Sequence, residues 1–316
     1  VRSAARRRAR DDRGFALLAV LLVVALLGVV GAEFAYSMRL EATAARAYKD
    51  GITAAHLAEA AVAHAMRELA ADIAFVGLNA EDGELTFYTR DRVAIPRLQR
   101  KKVALGEGEF SYRLTDEQAR INVNTVQPDR FDRLLQAMGL EKRDRDVVND
   151  SLQDWRDPNE EHRLNGAESD DYYLKLPVPY RSRNANLESV TELLQIRGVT
   201  PALFNGAERQ PALVDFVTVR TQGQVNINTA GDVVLRAMGF SDAEISDLAQ
   251  GRREVPYVSV PARFAGRGLV TTSQTFRIEA EGLINGERRA MLMAIVQKRL
   301  DAAGPTIAVL EWSGIR

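Results

Sequence analysis

INVNTVQPDRFDRLLQAMGL, Ile121 to Leu140, is nearly repeated further along the chain as VNINTAGDVVLRAMGF, Val225 to Phe240. In each copy an Asn-x-Asn-Thr phrase leads into a run with helical spacing. Asparagine and threonine are good N-caps, because their side-chain oxygens accept free backbone N–H groups of a first turn; the phrase is therefore expected to cap a helix. Pro128 suits the first turn of the first copy, where its missing N–H costs nothing. Each run ends at a glycine, Gly139 or Gly239, the residue best suited to a left-handed C-cap. Second helices are expected over Asp144–Trp155 and Ser241–Gly251. A looser third copy, SVTELLQIRGVTPALF from Ser189 to Phe204, puts Gly198 in the capping role. The repeated unit is a helix, a glycine turn and a helix, so the middle of the chain reads as all-helical.

Strand patterns flank this block. Glu84–Arg90 and Glu109–Leu114 precede it, and Gln274–Glu281, Arg288–Gln297 and Thr306–Trp312 follow it. Asn285-Gly286 between two alternating apolar runs is a strong hairpin signal. Strands early and late with helices between them predict a helical insertion, residues 116–261, in a small antiparallel sheet formed by residues 74–115 and 262–316.

Further out lies the N-terminus. FALLAVLLVVALLGVVGA, Phe15 to Ala32, carries no charge and is 18 residues long, about 27 Å of helix and close to the thickness of a bilayer core. Six arginines precede it, which places the N-terminus in the cytoplasm and the rest outside it. Helical patterning continues beyond Ala32. A 4-3 register visits Phe34, Met38, Glu41, Ala45, Tyr48, Ile52, Ala55, Glu59, Val62, Met66, Leu69 and Ile73, predicting one helix over 15–73 with 15–32 in the membrane and 33–73 as an amphipathic stem packed through that seam.

The bulk numbers narrow the function. A net charge of −1 argues against a global positive field for nucleic acid, and the absence of cysteine excludes disulfides and thiolate metal sites. No catalytic arrangement emerges: there is no P-loop and no G-x-S-x-G, and the histidines are His56, His64 and His162. Helix–glycine–helix turns also invite a DNA reading, in which backbone N–H groups hold phosphates. The turns AMGLEKRD, IRGVTPAL and AMGFSDAE, however, each have a single glycine, and the last is followed by acids.

One stretch has the composition of a binding site. DWRDPNEEHRLNGAESDDYY, Asp154 to Tyr173, holds seven carboxylates against Arg156 and Arg163. Oxygen-only donors on a loop rich in Gly, Asn and Pro suit Ca²⁺, which takes six to eight oxygens in loose geometry. His162 stands where an EF-hand needs glycine, and zinc lacks nitrogen and sulfur ligands here. The candidate ligands are Asp157, Asn159, Glu168, Asp170 and Asp171. Asp154 is ranked last, because it could instead cap the preceding helix. A solvated acidic loop is the alternative reading of the same residues.

Basic leader, Gly14, Phe15, an unbroken apolar stretch and an Ala-rich extension resemble a type IV pilin or type II secretion pseudopilin. The N-x-N-T…L-x-x-x-G phrases and the D-W-x-D…N-G-A-E…D-Y-Y string resemble, within that group, the minor pseudopilin K family of the general secretion pathway. The resemblance implies an α+β, type IV pilin-like fold: a long N-terminal helix on a small antiparallel sheet with a large all-α insertion. It implies that residues 1–14 are a leader, cut by the prepilin peptidase after Gly14 with N-methylation of Phe15. Most pilins carry a glutamate at the fifth mature position; here that position is Ala19, as is typical of pseudopilin K. It further implies calcium in the helical domain, although Ser169 lengthens the G-A-E to D-Y-Y interval by one residue. The implied role is assembly of the pseudopilus tip for protein export across the outer membrane, anchored by one pass in the inner membrane with the body in the periplasm. The implied partners are minor pseudopilins I and J, other pseudopilins, the prepilin peptidase and the inner-membrane secretion platform, with no nucleic acid and no enzymatic activity. The alternatives are a membrane-anchored helix-hairpin-helix DNA-uptake protein and a signal-anchored periplasmic scaffold.

Overall fold

The structure, a computed structural model, describes residues 12–208, 210–301 and 304–315. Most of the leader, residues 1–11, lies outside them. The chain divides into two compact units, one up to Thr53 and one from Ala54 onward.

Helix α1 runs unbroken from Asp12 to Leu69, ending four residues before the predicted Ile73. Its side chains from Phe15 to Lys49 are exposed, and it is long and apolar enough to cross a membrane.

In the second unit α1 is followed by β1 (Phe75–Leu78), β2 (Leu85–Tyr88), β3 (Val103–Leu105) and β4 (Gly108–Asp116). The helical block comes next, with β5 (Ile121–Asn122), α2 (Pro128–Ala137), α3 (Lys142–Arg156), α4 (Pro201–Asn205), β6 (Val217–Thr218), β7 (Val225–Asn226), α5 (Asp232–Ala237), α6 (Asp242–Gly251) and β8 (Leu269–Val270). The long strands β9 (Thr275–Ile284), β10 (Glu287–Asp301) and β11 (Gly304–Ile315) close the chain. The main sheet is antiparallel in the order β11-β10-β9-β4-β3. Asn285 and Gly286 both have positive φ (54° and 78°), the geometry a tight Asn-Gly hairpin requires.

The last part of α1 packs on this sheet through part of the predicted seam, with Val62 and Leu69 buried and Met66 partly so. Ala54, Leu57, Ala58, Ala61, Val62, Ala65 and Leu69 are buried, whereas Ala55 and Glu59 of the predicted register are exposed. The reason is a close approach of backbones. A Cβ placed on Gly282 of β9 would lie 1.9 Å from the carbonyl oxygen of Ala54. Alanines on the helix and glycine on the strand let the two elements come together, where a seam of large side chains would hold them apart.

The helical block has its own apolar core, including Phe131, Leu134, Leu152, Trp155, Tyr173, Leu193 and Leu235. Its two halves are built alike. β5 pairs in parallel with β6, and β7 pairs in parallel with β8. Arg156 donates to the carbonyls of Val123 (2.6 Å) and Val126 (2.8 Å), and Arg252 donates to those of Ile227 and Ala230, both at 2.9 Å. Gly139, Gly239 and Gly198 all adopt positive φ, as the turn reading requires.

The asparagines do something other than cap. The N-caps of α2 and α5 are Gln127 and Gly231, and neither caps with its side chain. Asn122 and Asn226 instead accept from the N–H groups two residues on, of Asn124 (2.8 Å) and Asn228 (2.9 Å). Asn124 exchanges hydrogen bonds with the backbone of Leu187, and Asn228 bonds the backbones of Tyr257 and Thr271. An amide offers donor and acceptor at once, so each of these asparagines ties its turn to a distant segment.

Ionic locks join the block to the sheet. Buried Glu117 lies between Arg277 of β9, which donates to both its oxygens (2.9 and 3.1 Å), and Arg120. Fully buried Asp116 accepts from Asn226 (3.0 Å), Thr229, Ser273 and the N–H of Gln118. Burial nonetheless pushes its carboxyl above the ordinary range, with those donors working against the shift.

Candidate functional site: an acidic loop on the helical block

Helix α3 delivers Asp154, Trp155 and Arg156 in its last turn and ends with Asp157 as its C-cap. Trp155 is buried, and its ring meets Tyr173 edge-on at 5.2 Å, with Tyr180 next to both. This aromatic cluster fixes the two ends of the loop. Gly166 allows its path: a Cβ there would sit 1.8 Å from a carboxylate oxygen of Asp154.

Asp154 is wholly buried and forms the inner wall. It accepts from the backbone N–H of Arg163 (3.0 Å) and from that residue's guanidinium (2.7 Å). It therefore holds the loop and does not cap its own helix. Asp157 accepts from the same guanidinium nitrogen at 2.8 Å and from the Asn159 amide at 2.7 Å. Asn159 in turn accepts from the N–H of Glu161 (2.8 Å). Glu168 is 1% exposed; Ser182 donates to its Oε2 (2.7 Å), while Oε1 has no hydrogen-bond partner. Asp171 accepts from the Glu168 N–H at 2.9 Å. Asp170 stands apart, with its side chain 81% exposed and 4.0 Å from Arg181.

Arg163, Ser169 and Ser182 are site residues that the sequence reading did not single out. The ligand pattern drew attention to acids, and only the fold shows which cation meets them. Arg156, the other cation in the stretch, is turned away toward its two carbonyls, and burial lowers its pKa. Among the described residues no three acidic or histidine side chains gather closely enough to hold a metal as they stand. The donor chemistry nevertheless fits a hard cation: the oxygens are carboxylates, and one of them is buried without a donor.

Electrostatics agree with that unmet need. Burial raises the Glu168 carboxyl to about 7, the Ser182 hydroxyl opposes this, and the charges of Asp154, Glu160 and Asp157 add to it. Burial likewise raises Asp154, with Arg163 pulling the other way. Burial disfavours the charge on Arg163, but hydrogen bonds to Asp157 and Asp154 prevail and raise its pKa.

A pH dependence follows. The folded Glu168 holds its proton to higher pH than the unfolded chain, whose carboxyl titrates near 4.5. Stability supplied by this group is complete below about 4.5 and is lost as pH rises toward 7. In chelator-treated buffer, Glu168→Gln should therefore gain stability relative to the unaltered chain between pH 4.5 and 7. Parallel melting curves for the two proteins across that window would count against a strained Glu168.

Residues 112–214, which contain this loop, match the family model for type II secretion system (T2SS), protein K. Over this part and beyond it, the chain is similar to type II secretion system protein K. It is 28% identical to the protein K of Klebsiella pneumoniae over 242 residues, 69% of this chain and just under two thirds (66%) of that protein. With protein K of Pectobacterium carotovorum subsp. carotovorum it shares 29% identity over 112 residues, 31% of this chain and 34% of that one. A chain in the crystal structure of the GspK-GspI-GspJ complex from the enterotoxigenic Escherichia coli Type 2 Secretion System has the same fold. The TM-score is 0.60 at 16% identity, covering 87% of this chain and 99% of that one. The long helix, antiparallel sheet and helical block thus form a mixed α+β fold similar to that chain's.

Proposed function

We propose that this protein is a minor pseudopilin at the tip of a type II secretion pseudopilus, promoting its assembly for protein export across the outer membrane. One observation carries the reading: a single helix runs from a membrane-grade apolar stretch onto an antiparallel sheet that bears a large helical block. Ala19 supports the tip position. In a pilin fibre a glutamate there neutralises the terminal amine of the subunit ahead; Ala19 offers no such carboxylate, which suits a subunit with none ahead of it. The complex in which the similar fold occurs also contains GspI and GspJ; the proposed partners here are the corresponding minor pseudopilins I and J. Other pseudopilins, the prepilin peptidase and the inner-membrane platform complete the set. The leader would lie in the cytoplasm and the second unit in the periplasm. Calcium belongs to the same proposal, held by Asp154, Asp157, Glu168 and Asp171, where it would neutralise carboxylates and brace the loop without entering any reaction.

The DNA-uptake alternative is less well supported. Arginines beside the glycine turns are committed to their own chain: Arg133 to the Ala237 carbonyl (3.0 Å), Arg145 to Asp132 (2.9 Å) and Arg267 to Glu244 (2.9 Å).

The test is processing in cells that express the secretion system. Cleavage between Gly14 and Phe15 should leave a mature chain beginning at Phe15, and Gly14→Val should block it and keep the chain out of a complex with I and J. Terminal sequencing that finds a cut near Ala32, or no cut at all, would overturn this reading; an uncut chain would leave the signal-anchored scaffold.

A further inference from the structure

We propose that Arg163 is a tethered counter-ion, which closes the acidic loop when no divalent cation is bound and which calcium must displace from Asp154 and Asp157. The inference rests on the calcium reading above and says how that site is controlled.

One guanidinium nitrogen of Arg163 lies 2.7 Å from Asp154 and 2.8 Å from Asp157, so it occupies the point where the two carboxylates face each other. A cation bridging these acids would need that position. The three side chains differ in freedom: Asp154 is fully buried and the Asp157 side chain 21% exposed, whereas Arg163 is 43% exposed. The arginine can swing into solvent while the carboxylates stay. Its backbone N–H holds Asp154 independently, so the loop remains attached when the guanidinium leaves.

Glu168 supplies a second and separate observation. Its Oε1 is buried and has no donor, a costly state for a carboxylate. Arg163 bonds Asp154 and Asp157, but the Glu168 oxygen remains unmet. A single positive charge therefore leaves part of the acidic wall uncompensated. A dication brings the second positive charge that one guanidinium lacks and takes six to eight oxygen ligands in loose geometry. Arg163 thus sets the threshold for calcium: it stabilises the ion-free loop and weakens calcium binding by competing for the same oxygens.

The experiment uses the full chain in detergent micelles, stripped of metal and titrated with calcium chloride by calorimetry. Arg163→Gln should melt lower than the unaltered chain in chelator, yet bind calcium about tenfold more tightly, a change of about 1.4 kcal/mol. If the unaltered chain binds calcium and Arg163→Gln binds it equally or more weakly, Arg163 is an ordinary structural partner; the inference is overturned while the calcium reading stands. If neither protein binds calcium, both fail. Should Arg163→Gln not fold, the unaltered chain gives a second readout through phenylglyoxal, which modifies free guanidinium groups. Calcium should raise modification at Arg163, and unchanged or reduced modification under calcium-saturated conditions would overturn the displacement.

Discussion

Glu117→Ala is expected to lower the stability of the folded chain by about 3–5 kcal/mol, the cost of stripping one partner from a buried ion pair. Glu117 is wholly buried and is shared by Arg277 and Arg120, which are only 7% and 9% exposed. Removing it leaves two guanidinium groups together with little water to solvate them. Burial already depresses the Arg120 pKa, and the neighbouring Arg277 charge adds to that depression against the pull of Glu117. For a chain of this size the loss corresponds to a melting temperature lower by roughly 10 °C. Because Glu117 connects β9 to the start of the helical block, the sheet and block should lose cooperativity together. Replacing Glu117, Arg120 and Arg277 by apolar residues of similar volume should recover much of the loss, since no charge is then left unpaired. A single Glu117→Ala that melts within a degree of the unaltered chain would show that the arginines find other solvation.

If the acidic loop holds calcium as proposed, removing it is the second large expected effect. A ligand that binds only the folded state stabilises it by about 2.7 kcal/mol at a hundred times its dissociation constant. Chelation should then lower the melting temperature by roughly 5–10 °C, and magnesium should restore it poorly because it demands a tighter octahedron. Asp171→Asn should blunt the calcium response while leaving the hairpin at Asn285-Gly286 intact. In a purely solvated acidic loop the same substitution would relieve repulsion and stabilise the protein slightly. Melting curves indifferent to both calcium and chelator would decide for that loop.

Where local chemistry governs, the residues themselves were a sufficient guide. An uncharged run followed by alanine-rich helical spacing favours one long helix, and α1 forms it from Asp12 to Leu69. Asn285-Gly286 is a hairpin because positive φ at both positions is tolerated there. Gly139, Gly198 and Gly239 end their segments in the left-handed region for the same reason. β9, β10 and β11 lie where the strand runs predict them, and the acidic loop is visible as excess charge.

Partnership was not visible in this way. Asn124 and Asn228 resemble caps in sequence, but their amides reach Leu187, Tyr257 and Thr271 because folding brings those backbones within hydrogen-bond distance. The buried face of α1 is set by how closely Gly282 lets β9 approach Ala54, a spacing that no periodicity along the helix alone contains. The same holds for charge. Of two arginines in the acidic stretch, Arg156 turns to carbonyls of the helical block and Arg163 turns to Asp154 and Asp157. Segments are legible from their residues because propensity and turn geometry act over a few positions. Which side chain neutralises which depends on distances across the fold, and electrostatic and hydrogen-bond energies are decided by those distances and by the water excluded around them.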